Sequence, residues 1–97
     1  MKFYFCRLLP PRPDFAQTLS TDEARLMQEH AAYWRGLLEQ GRTVIFGPVA
    51  APEGTYGIGI LSLPDDDDPK DVVAADPVSA AGFRYEVAPM LQAVTRG

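Results

Sequence analysis

The run from Thr21 to Gly41, TDEARLMQEHAAYWRGLLEQG, constrains the fold more than any other stretch of the chain. Leu26, His30, Trp34, Leu37 and Leu38 recur at helical spacing and share one face, with Met27 and Tyr33 widening the stripe. A helix striped in this way has to lay that face on an apolar partner. The chain's single histidine, His30, therefore points inward. Ser20 or Thr21 can cap the helix, Glu23 lies three residues after Ser20 as in a capping box, and Asp22 and Glu23 meet the positive end of the helix dipole. Gly41 supplies the stop.

Strand-like runs surround this helix. Lys2 to Leu9, KFYFCRLL, is short and aromatic, and Pro10, Pro11 and Pro13 end it in a loop that runs to Ser20. Its alternating faces, Phe3, Phe5, Arg7, Leu9 and Tyr4, Cys6, Leu8, are both mainly apolar, the pattern of a strand covered on both sides. Arg42 to Val49 reads as a second strand closed by Gly47 and Pro48. Thr55 to Leu63 reads as a third, in which Gly57 and Gly59 share a face and let a helix or ligand come close. Pro64 to Pro69 is a solvated, aspartate-rich turn, and Pro69 opens a short helix, Lys70 to Ala75, with Val72 and Val73 inward. Asp76-Pro77 breaks or kinks it before a brief continuation to Ala81. Phe83 to Ala88 alternates as a fourth strand with one wetter face, and Pro89 to Gly97 is expected to be a tail packing through Met90, Leu91 and Val94.

The order β-α-β-β-α-β within 97 residues predicts one α+β domain over 1–97, a ferredoxin-like antiparallel sheet with its helices on one face. The doubly apolar first strand then needs a second cover. The same face of a second copy is the simplest source, which predicts a homodimer.

Net charge and patterning narrow the partners. A charge of −4, with nine unclustered Lys and Arg, speaks against nucleic acid. No apolar run approaches the ~18 residues of a membrane span, and the N-terminus opens on strand-like sequence rather than a signal peptide. One cysteine, Cys6, cannot close an internal disulfide, so a cytoplasmic protein is expected. In a buried-looking strand, Cys6 itself reads as an inert core thiol.

Few residues can carry chemistry. A half-buried imidazole titrates near neutrality and serves as general acid or base, so His30 leads, although a lone histidine on an apolar stripe is more often a satisfied core residue. Asp76, before a proline where the chain turns, can aim a carboxylate back across the first helix; the plain alternative is a turn signal. Gly47-Pro48 reads as a pocket wall or a strand terminator. Trp34 and Tyr33 fit an aromatic-ligand pocket and core packing equally well. Asp65 to Asp68 with Asp71 lacks the alternation and glycine of an EF-hand loop, no zinc ligand set exists, and Gly57-Ile58-Gly59 lies inside a strand without a third glycine, so neither metal nor cofactor is expected.

Taken together, His30 with Tyr33 in one helix, Gly41 at its end, Gly47-Pro48 closing the next strand, a glycine-bearing third strand and Asp76-Pro77 after the second helix resemble the YciI-like (YCII-related) domain family over nearly the whole chain. The resemblance implies a dimeric α+β barrel of ferredoxin-like subunits and a His-Asp dyad beside a small pocket, at His30 and Asp76 here. Many members carry an arginine shortly before the histidine, where this chain has Gln28-Glu29. Arg12, in the proline-rich loop, is the candidate substitute cation. One branch of the family resembles a dehydrochlorinase of chlorinated hydroxyquinol-type aromatics, and the wider superfamily includes lactone isomerases and small-molecule monooxygenases.

Two functions follow as expectations. One is a cofactor-independent lyase, isomerase or dehydrohalogenase in which His30 moves a proton on a small, cyclic or aromatic substrate while Asp76 orients the imidazole. The other is a non-catalytic dimer that binds a small ligand or a protein. A purely structural dimer with a core histidine stands behind both.

Overall fold

Four strands form one antiparallel sheet in the order β2-β3-β1-β4, with helices on one face. The computed structural model describes residues 1–96, as β1 (Lys2–Leu9), α1 (Phe15–Thr18), α2 (Thr21–Glu39), β2 (Thr43–Ala51), β3 (Gly54–Leu63), α3 (Pro69–Ala74), α4 (Pro77–Ala80) and β4 (Arg84–Pro89). This is the α+β, ferredoxin-like architecture expected. The sheet is open, and β1 and β3 form its centre.

Local chemistry sets the helix boundaries. Ser20 Oγ accepts from the Glu23 amide at 3.1 Å while the Glu23 carboxylate accepts from the Ser20 amide at 2.8 Å, a complete capping box. At the other end Gly41 turns left-handed, with φ of +73°, and the Arg42 amide closes on the Leu37 carbonyl at 2.8 Å. The second helical segment is two short helices, each started by an Asp-Pro pair. Asp68 caps α3 through the Lys70 amide at 2.9 Å, and Asp76 caps α4 through the Val78 amide at 3.2 Å.

Four features differ from the sequence expectation. Gly47 and Pro48 do not close the second strand, which pairs through them to Ala51, because β2 lies at the edge of the sheet, where a proline is tolerated. Within the proline-rich loop, Phe15 to Thr18 forms the short α1, because Phe15 is buried edge-on against Phe83 with ring centroids 5.3 Å apart. Leu38 is 44% exposed, since Trp34 and Leu37 already hold the inward position and each helical step rotates the next side chain by about 100°. The tail does not pack: the Met90 amide donates to the Phe3 carbonyl at 2.9 Å, but Leu91 and Val94 are fully or largely exposed. Gly97, the last residue of that expectation, lies outside the described residues.

Register decides what faces the helices. On the helix side Tyr4, Cys6 and Leu8 stand opposite Leu61, Gly59 and Gly57 on β3, and Cys6 and Leu8 stand opposite Val87 and Tyr85 on β4. Cys6, Trp34, Leu37, Leu61, Leu63, Val72 and Val73 form the main core cluster. A bulge at Val44 lets Thr43 pair with Leu61 and Ile45 with Ile60, which turns Ile45 outward and Phe46 inward opposite Gly59. Phe46 thereby reaches Trp34, ring centroids 6.1 Å apart. On the far side of the sheet no element among the described residues covers Phe5, Val44 and Ile45, which are 37%, 45% and 57% exposed.

Candidate functional site

His30 and Trp34 stand one turn apart on the inward side of α2, and Asp76 sits between α3 and α4 where the chain turns to face them. The structure brings the three together. His30 Nδ1 lies 2.6 Å from Asp76 Oδ2, and Trp34 Nε1 donates to the same oxygen at 2.9 Å. A fourth group joins from the sheet: the Tyr85 hydroxyl donates to Asp76 Oδ2 at 2.5 Å and accepts from Trp34 Nε1 at 3.0 Å. Asp76 Oδ1 takes the Val78 amide.

A carboxylate 1% exposed would normally protonate, because burial disfavours the charged form. Here burial is the largest single influence and pushes the Asp76 carboxyl up, but the hydrogen bonds from His30 and Tyr85, the charge of His30 and the Val78 amide together outweigh it. The net result lies below the usual carboxylate value. Asp76 is thus an ionised acceptor, so His30 Nδ1 is the donor of this contact, and the ring's other nitrogen, Nε2, is the one that can exchange a proton with a ligand. Burial and the Asp76 charge both drive Tyr85 upward, so it stays a neutral donor.

The imidazole, 16% exposed, lines a cavity of about 250 Å³ between α2, the α1 segment and the sheet. Leu8, Phe15, Met27, Phe46, Ile58 and Phe83 make most of its wall apolar, and Trp34, Tyr85 and the backbones of Gly57 and Gly59 complete it. The glycines serve different ends. A Cβ on Gly59 would stand 2.4 Å from the Trp34 ring, so the missing side chain is what seats the indole, whereas a Cβ on Gly57 would meet only Leu8 at 3.4 Å. Gly47 and Pro48 line the cavity at its β2 wall.

Two of the residues singled out from sequence lie elsewhere. Tyr33, one position before Trp34, is turned away from the cavity and donates its hydroxyl to the Val72 carbonyl at 2.5 Å, tying α2 to α3. Arg12 is consumed by a two-pronged contact with Glu23 at 2.8 and 2.9 Å and by Thr18, so it offers no free cation to the cavity. Tyr85 was not among the sequence candidates. Its place on the inward alternation of β4 is the one sequence signal it gave, and it names no partner for the hydroxyl until α2 is packed on the sheet. Cys6 is fully buried and its thiol is pushed up to about 12 by burial, which leaves it unreactive.

Fold and site together define a ferredoxin-like α+β domain with a histidine, backed by a buried carboxylate, opening on an apolar cavity. The chain matches the YCII-related domain over residues 3–91 and belongs to that family. No curated protein matches its sequence. Among solved structures, a formyltetrahydrofolate deformylase from Pseudomonas putida is similar at 16% identity and a TM-score of 0.43, over 91% of this chain and 28% of that one. No helix among the described residues is long and apolar enough to cross a membrane.

Proposed function

We propose that this YCII-related domain works as a cytoplasmic homodimer and cofactor-independent acid-base enzyme, moving a proton on a small cyclic or aromatic substrate with His30 and Asp76. The observation that carries the reading is the 2.6 Å contact between His30 Nδ1 and a buried, ionised Asp76 at the wall of an apolar cavity. With Nδ1 committed, Nε2 has no partner among the described residues and is the atom left to take a proton from a ligand in the cavity. Asp76 then holds the ring orientation and balances the positive charge that develops on it. Lyase, isomerase and dehydrohalogenase reactions all begin with such a transfer. The finer choice among them depends on the substrate's leaving group, not on these residues.

The test follows the proton itself. Small phenols and cyclic ketones are incubated with the protein in deuterated buffer, and uptake at carbon is read by NMR. Wild type should accelerate uptake for a subset of them, and His30→Gln should lower that rate by about 10²–10⁴-fold. Equal rates in wild type and His30→Gln would sink the catalytic reading. The binding-module alternative draws on the same cavity: if wild type binds these compounds without accelerating uptake and His30→Gln only weakens binding, the domain is a sensor.

A further inference from the structure

Two residues apart on the inward side of β3, Gly59 and Gly57 receive different neighbours. Trp34 lies over Gly59, so close that a Cβ there would stand 2.4 Å from the indole. Apart from its chain neighbours, a Cβ on Gly57 would meet only the Leu8 side chain at its flank, the nearest atom 3.4 Å away. The bare backbone of Gly57 is therefore part of the cavity floor.

The register explains the difference. Gly59 stands between Cys6 on β1 and Phe46 on β2, and Gly57 between Leu8 and Pro48. Because β1 and β2 both pair antiparallel with β3, the helix that connects them, α2, runs back in the direction of β3. One turn back along α2 from Trp34 covers about 6 Å, and two residues back along β3 cover about 6.8 Å. His30 thus stands to Gly57 much as Trp34 stands to Gly59, and His30 and Gly57 both border the cavity. An imidazole is smaller than an indole, and this one is drawn to Asp76 at 2.6 Å. The space that an aromatic ring of the protein fills over Gly59 is, one row further on, the cavity.

We infer that Gly57 decides which ligands the His30 site admits: a flat ring lies on the bare strand there, between Leu8 and Pro48, with one polar substituent at His30 Nε2. This deepens, and rests on, the reading of the cavity as a ligand site. A dry cavity of about 150 Å³ is enough for benzene, so the 250 Å³ here has room for a single ring with small substituents. A flat ring brings its whole face to the Gly57 backbone. A saturated ring with the same number of atoms carries axial hydrogens on both faces and cannot lie as close, which forfeits part of that contact.

A matched pair of probes tests the idea: benzyl alcohol and cyclohexylmethanol, which share a hydroxyl and a six-membered ring and differ in flatness, titrated into the intact protein by ligand-observed NMR. Benzyl alcohol should bind about tenfold more tightly. Gly57→Ala puts a methyl on the cavity floor and should lower benzyl alcohol affinity by about tenfold, while melting temperature and tryptophan fluorescence, which report the Trp34 seat, stay as in wild type. Without any substitution, the ring protons of bound benzyl alcohol should give nuclear Overhauser contacts to the Gly57 α-protons. Equal affinities for the two alcohols, benzyl alcohol bound without contacts to Gly57, or a folded Gly57→Ala protein that binds it as wild type does, overturns the assignment and leaves the cavity reading in place. Failure of both alcohols to bind overturns both. A flat-ring preference without deuterium uptake keeps the assignment and removes only catalysis.

Discussion

At the residue scale the molecule is organised around one oxygen. Asp76 Oδ2 receives His30, Trp34 and Tyr85, so truncating Asp76 leaves His30, Tyr85 and the α4 cap without their acceptor in a buried space and Trp34 with Tyr85 alone. Asp76→Ala is expected to cost about 3–5 kcal/mol, a large part of the roughly 5–15 kcal/mol that holds a domain of this size. Tyr85→Phe removes one donor and should cost about 1–3 kcal/mol; urea denaturation of both variants checks the order. The same network sets an acid limb. Since Asp76 sits below its ordinary 3.8 when folded, its contribution is complete above that value and is lost as pH falls through the folded pKa. Glu23 behaves alike: hydrogen bonds from Arg12 and Ser20 hold it at about 2 against an ordinary 4.5. Melting temperature should therefore stay level down to about pH 4.5 and fall below it, and Asp76→Asn should start lower and fall less steeply. A wild-type profile flat to pH 2 would contradict this. His30 and Asp76 were legible in the sequence because each is a rare residue at a marked place, the one histidine and an aspartate before proline. Tyr85 was not, because a tyrosine on a strand declares a partner only when the opposite helix is in view. Arg12 misled for the converse reason: its partner Glu23, already explained by the capping box, turned out to accept from both.

At the element scale α2 is fixed at its start by chemistry readable in four residues and along its length by a contact that is not. Ser20-x-x-Glu23 announces the capping box, and Ser20→Ala should cost about 1 kcal/mol, measured by denaturation. The seat of Trp34 depends instead on Gly59, two elements away. Gly59→Ala drives a methyl into the indole at 2.4 Å, and the ring, bonded to Asp76 and Tyr85, cannot step aside without releasing them. A loss of about 1–3 kcal/mol and a shifted tryptophan fluorescence maximum are expected. Gly57→Ala, facing only Leu8 at 3.4 Å, should keep both within error and narrow the cavity. If the two variants behave alike, the indole is not what Gly59 accommodates. The glycines could be read from the chain as places of close approach. Which one met the helix and which the cavity required the pairing of β3 with β1. The bulge at Val44 lay beyond sequence reading for the same reason, since β2 alone contains nothing irregular, and it decides that Phe46 and not Ile45 faces the site.

At the scale of the whole molecule the sheet has two faces and the described residues cover one. The uncovered face is itself divided. Toward the start of β1 it carries Phe3 and Phe5 beside Ile60 and Ile45, and toward the end of β1 it carries Arg7, Glu86 and Arg84. A second copy laid on the apolar half would remove Phe5, Val44 and Ile45 from water and leave the arginine half at its edge. This proposed homodimer accounts for the doubly apolar β1, whose outward residues have no use in a monomer. In a two-fold interface every contact occurs twice, so Ile45→Lys removes two buried side chains of about 1.5–3 kcal/mol each and should weaken association by about two to four decades. Sedimentation velocity at micromolar protein is expected to show a dimer for wild type and a monomer for Ile45→Lys. Because Ile45 points away from the helix side, the variant's far-ultraviolet circular dichroism and the His30 to Asp76 contact, followed through the His30 ring resonances, should be unchanged. A wild type that sediments as a monomer, or an Ile45→Lys protein that remains a dimer, would remove the second copy from this face and leave its exposed isoleucine unexplained.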